Sequence, residues 1–80
     1  LELQPYMKTI PVGYVGERND SGQMHGKGEF RYANGNMYMG DYVDDKMHGK
    51  GVFTWDDGRR YEGEYVDDKK SGHGVFTWPD

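Results

Sequence analysis

Three histidines, a column of carboxylates and two Gly-Lys-Gly tripeptides recur along this chain, and each could do chemistry. His25, His48 and His73 suggest a metal centre. If they sit on successive hairpins, however, equivalent positions lie two strands apart, roughly 9–10 Å. Zinc ligands sit ~2 Å from their metal, so two such histidines cannot share one ion. His25 and His48 are expected instead to brace the loop ahead of a strand. Glu17, Asp41 and Glu64 form the carboxylate column. Acid–base catalysis by a carboxylate pair needs unlike environments that drive two pKa values apart. A repeated column gives like environments, so these read as a solvated face. Ser71 has no base arranged around it, and no nucleophilic triad is visible. Gly26-Lys27-Gly28 and Gly49-Lys50-Gly51 lack the Gly-Lys-Ser/Thr ending and the downstream helix of a phosphate loop. No catalytic residue, metal ligand or cofactor is expected from these positions, although a parent protein could be an enzyme.

Two other sets could bind. Arg59-Arg60 and Lys69-Lys70 are the densest basic pairs and could meet acidic lipid head groups. Polybasic membrane sites gather four to eight Lys or Arg, whereas Asp44-Asp45, Asp56-Asp57 and Asp67-Asp68 stand beside these cations. Tyr and Trp are favoured interface anchors. Tyr42, Tyr65, Trp55 and Trp78 are expected to offer ring faces to a protein partner, a helix or an extended peptide.

The elements that position these residues come from an internal repeat. Residues 38–60 form one unit, residues 61–80 repeat it and stop three short, and residues 14–37 repeat it with one extra residue near Gly22. Matching columns are Tyr14/Tyr38/Tyr61, Gly16/Gly40/Gly63, Gly26/Gly49/Gly72, Gly28/Gly51/Gly74, Phe30/Phe53/Phe76 and Tyr32/Trp55/Trp78. Within each unit, Tyr-x-Gly-x-Tyr and Gly-x-Gly-x-Phe-x-Trp alternate with period two, the signature of strands. Asn34-Gly35 and Asp57-Gly58 predict two-residue type I′ turns joining one unit to the next. Asp44 to His48 predicts a longer loop inside the unit. The result is an all-β chain, a meander of antiparallel hairpins in a curved single-layer sheet of about three repeats.

Alternation puts Tyr38, Gly40, Tyr42, Gly49, Gly51, Phe53 and Trp55 on one face. Asp41, Lys50, Thr54, Val43 and Val52 fall on the other. Glycine inside a strand costs entropy and packs nothing. Its recurrence is explained if aromatic rings lie over bare backbone, each burying ~150–250 Å². Tyr14, Tyr38, Tyr61, Phe30, Phe53 and Phe76, with Gly16, Gly28, Gly40, Gly51, Gly63 and Gly74, are therefore the expected structural set. Residues 1–13 stand outside the repeat. Tyr6–Ile10 reads equally as an edge strand or as an unstructured lead-in.

Composition agrees with an aromatic rather than an aliphatic interior. Leu, Ile, Val and Phe make only 12 of 80 residues, while aromatics make 15% and there are 13 glycines. No apolar run is long enough for a membrane helix or a signal peptide. The net charge of −4 argues against nucleic-acid binding, and the lack of cysteine fits a reducing, cytoplasmic setting. The chain begins at Leu1 and stops within a repeat, as a piece of something longer would.

Tyr-x-Gly-x-Tyr, a loop, His-Gly-x-Gly-x-Phe-x-Trp and an Asp-Gly turn resemble the membrane occupation and recognition nexus (MORN) repeat over residues 14–80. Arg18 departs from the pattern at the second Tyr of the first repeat, and Ser71 departs at the His of the third. The resemblance implies a half-pipe sheet and a non-enzymatic scaffold or regulatory module that binds proteins in an aromatic and glycine groove. Its alternative implication is phosphoinositide binding, with a peripheral place at a membrane or the cytoskeleton. Open sheet edges also predict pairing between copies of the chain.

Overall fold

The structure is a computed structural model and describes residues 12–79. The strand expected over Tyr6–Ile10 lies outside these residues. Six strands follow one another: β1 (Gly13–Arg18), β2 (Met24–Arg31), β3 (Met37–Val43), β4 (Lys46–Thr54), β5 (Arg60–Val66) and β6 (Lys69–Thr77). They form one open antiparallel sheet in sequence order, β1 to β6. The all-β hairpin meander is the architecture the period-two pattern demands.

Register converts the repeat into rows. Tyr14, Phe30, Tyr38, Phe53, Tyr61 and Phe76 pair across all six strands in one row. Two residues along, Gly16, Gly28, Gly40, Gly51, Gly63 and Gly74 form a second, unbroken row. Same-face residues are spaced by two, so both rows face one side. The tyrosines lean from their row over the glycine row. A Cβ built on Gly28, Gly51 or Gly74 would land on the ring of Tyr14, Tyr38 or Tyr61. The Tyr38 hydroxyl then donates to the Asp41 carbonyl at 3.0 Å, and Tyr14 donates to that of Glu17 at 2.6 Å.

The turn types differ from those expected, and the two sites trade roles. Asp44-Asp45 and Asp67-Asp68 have φ of 49° and 71°, and 48° and 71°. They make the tight two-residue turns, where a longer loop was expected. Aspartate tolerates the left-handed region because its short carboxylate can bond locally. At the Asp-Gly site only Gly58 has positive φ, and Trp55 N–H donates to the Arg59 carbonyl at 2.9 Å. Three residues therefore bridge the strands, a turn closed by a left-handed glycine rather than type I′. The first glycine of each Gly-x-Gly also has its own reason. Between Gly40↔Gly51 and Tyr42↔Met47 the returning strand spends three residues against one. Gly49, with φ of 83°, absorbs that bulge.

Candidate functional site

Among the described residues the buried side chains are all tyrosines, Tyr38, Tyr42, Tyr61 and Tyr65, and the other buried residue is Gly51, beneath the Tyr38 ring. Tyr42 stands edge-on between Tyr14 and Tyr38, with ring centroids 5.2 Å from each. Tyr65 stands likewise between Tyr38 and Tyr61, at 5.2 and 5.8 Å. These T-shaped contacts, each worth ~0.5–1.5 kcal/mol beyond area burial, make a zigzag ladder through three repeats. Tyr42 and Tyr65 were expected to meet a partner, but each is only 3% exposed. The correction has a simple cause. The rings of two adjacent repeats close over each of them, so the ladder consumes the faces they would have offered.

A second aromatic row runs beside the first. Phe30, Tyr32, Phe53, Trp55, Phe76 and Trp78 succeed one another with centroids 4.5–5.7 Å apart. Trp55 is half-buried and stacks on Phe76 at 5.1 Å. Arg59 and Lys70 lie over the Trp55 ring at 5.1 and 5.5 Å. Of the four expected contact rings, Trp78 is the one left open, 65% exposed.

The polar columns do structural work. Glu17 accepts the Lys27 backbone N–H, and Asp41 accepts that of Lys50 at 3.4 Å while pairing with Lys27 Nζ. These carboxylates cap the backbone freed by the bulges, a job the face pattern does not announce. His25 accepts the Asp44 backbone N–H at 3.3 Å, and His48 Nδ1 lies 4.0 Å from Asp67. His25 therefore braces the turn of the following repeat, not the loop of its own, and His48 lies beside the equivalent turn. Among the described residues no group of three His, Cys, Asp or Glu could hold a metal ion.

The basic pairs meet only in part: Arg59 and Lys70 share the Trp55 ring, whereas Arg60 and Lys69 lie apart. Arg60 sits opposite Thr77 and Lys69 opposite Val66, at the two ends of the last hairpin. Six residues of strand separate them, roughly 20 Å. Arg59 pairs with Asp57 at 2.8 Å, and Arg60 pairs with Glu62 at 3.1 Å. The Arg59 backbone N–H, followed by its guanidinium, holds the Asp57 carboxyl below its ordinary range. Lys70 rests on Trp55 and Tyr61.

The repeat columns now have their geometry, and the sequence matches MORN repeats over residues 21–37, 38–59 and 61–80. The chain belongs to the MORN repeat family. A comparison with curated proteins finds no significant match. The MORN repeat is a non-catalytic repeat, in keeping with polar columns that are bound to backbone. In this MORN sheet two depressions lie on the face opposite the rings, and a smaller one borders Trp55 and Arg59, while the partner groove had been expected on the aromatic face. A depression of about 770 Å³ is lined by Met39, Val52, Glu62 and Val75 beside the glycine row, and a second by Val15, Glu29 and Met39. Val15, Glu29, Met39, Val52, Glu62 and Val75 pair in register, one from each strand. Sequence reasoning missed this row because alternation says which residues share a face, not which face is hollow. Following Val52 through the hairpin pairing would have found it.

Proposed function

We propose that this MORN sheet is a non-enzymatic interaction module that holds a protein segment in the groove opposite its rings. One observation carries the reading. The row from Val15 to Val75 crosses every strand, and Met39 at its centre is 47% exposed although it is flanked by the apolar Val52. A helix or extended peptide laid across the strands meets each repeat once, with Val15, Met39, Val52 and Val75 as apolar contacts. Glu29 can bond its polar groups. Acidic-lipid binding has less support, since three of its four expected cations already hold an intrachain carboxylate or ring.

The test immobilises the protein and its Met39→Glu/Val75→Glu variant and identifies captured cell-extract proteins by mass spectrometry. Circular dichroism should show the sheet intact in both, because these side chains are exposed. The reading expects at least tenfold loss of the captured partner, and equal capture by the folded variant overturns it. Co-sedimentation with phosphoinositide vesicles at low salt, fading as salt rises, would instead favour the lipid reading.

A further inference from the structure

Among the described residues Met39 differs from the other methionines in what surrounds its side chain. Met24 and Met47 are half-buried and pack against the tyrosine ladder. Met37 is half-buried too, and its Sδ accepts the Arg31 guanidinium N–H at 3.6 Å. Met39 is 47% exposed. It lies on the inner strand β3, between Glu29 on β2 and Val52 on β4, and borders both depressions of the face opposite the rings.

The repeat shows that the sheet does not need a thioether at this place. Val15 and Glu62 stand in the same column, each between the tyrosine and the glycine of its strand. Glu62 is charged and the strand pairs normally around it. A polar group in the column is therefore compatible with the fold. In the row from Val15 to Val75, Met39 is the one side chain that mild oxidation can change from apolar to polar.

We propose that Met39 is a reversible oxidation site that switches the groove off, with a peroxide as the oxidant. Sδ attacks one peroxide oxygen, the O–O bond breaks and a sulfur–oxygen bond forms. The sulfur is oxidised by two electrons, and the second oxygen leaves as water with both peroxide protons. The sulfoxide is polar where the thioether was apolar. An apolar partner surface closing over it would bury an unpaired oxygen, which opposes binding. A sulfoxide reductase reverses the step with two thiols, which give a disulfide, the thioether and water. The proposal rests on the groove reading above, since a partner held there is what feels the new oxygen.

Two measurements test it, and the first needs no partner. The protein is treated with hydrogen peroxide, digested at intervals and mapped by mass spectrometry. Sulfoxide should form at Met39 at least threefold faster than at Met24, Met37 or Met47. Circular dichroism and the urea midpoint should not move as Met39 is oxidised. Equal oxidation of any of the other three, or loss of the sheet with Met39 oxidation, would overturn the proposal. The second measurement removes the peroxide and follows the cell-extract protein that Met39→Glu/Val75→Glu fails to capture. The oxidised protein should retain at least tenfold less of it, and sulfoxide reductase with dithiothreitol should restore capture. Met39→Leu should capture it before and after peroxide alike. Undiminished capture by the oxidised protein, or loss of capture by peroxide-treated Met39→Leu, would overturn the switch and leave the groove reading standing. Equal capture by the double variant would overturn the groove reading and the switch with it.

Discussion

Tyr65 shows what a single residue contributes to this sheet. Its ring lies between Tyr38 and Tyr61, and burial, reinforced by the neighbouring tyrosines, pushes its phenol up to about 12. Tyr38 and Tyr42 are raised further by the same cause. The sign of the consequence follows from linkage. A phenol titrates near 10 in the unfolded chain, so above that pH the folded state holds protons the unfolded state has lost, and stability falls as pH rises. Stability from these tyrosines should therefore be complete below about pH 10 and should drain away through pH 12. Circular dichroism followed together with tyrosinate absorbance checks this. The strand signal should collapse as the buried tyrosines ionise. Ionisation of all tyrosines near their ordinary value with the sheet intact would contradict the burial.

At the scale of the element, the Asp-Asp turn does more than reverse the chain. Asp45 closes its own hairpin and binds Met24 of the repeat before it. Replacement by glycine keeps the left-handed backbone but loses the carboxylate bond, at a cost of about 1–2 kcal/mol. Replacement by alanine also strains a backbone at φ of 71°, adding about 1 kcal/mol. Urea unfolding should rank wild type above Asp45→Gly and Asp45→Ala lowest. A glycine variant as stable as wild type would reduce the turn to a simple reversal.

These turns also mark where the sequence stops being legible. Strand order and hairpin positions followed from the columns, because period two and repetition are local facts. Turn type did not, because Asp57-Gly58 favours a two-residue turn in isolation while pairing of Trp55 with Arg59 leaves three residues to bridge the strands. The structural set of tyrosines and glycines was readable from one unit. The fate of Tyr42 and Tyr65 was not, since each is enclosed only when two repeats stack.

For the whole molecule, backbone pairing of β2 with β3 and of β4 with β5 makes three hairpins one sheet, and the ladder packs its ring face across those junctions. Strands touch chiefly their sequence neighbours, and chains of this kind are stabilised by unit and junction terms. Tyr38 belongs to both inner junctions, since its ring contacts Tyr42 and Tyr65 and covers Gly51. The most direct measurement is therefore the unfolding free energy of Gly51→Ala in urea. Where a strand glycine is merely tolerated, alanine stabilises by about 0.5–1 kcal/mol, because it lowers the entropy of the unfolded chain. Here the methyl would displace the Tyr38 ring and open both junctions. The expected result is the opposite sign, a loss of about 3 kcal/mol or more, as when a buried aromatic ring is removed. An alanine variant as stable as wild type, or more so, would contradict the claim that rings on bare backbone form the interior of this protein.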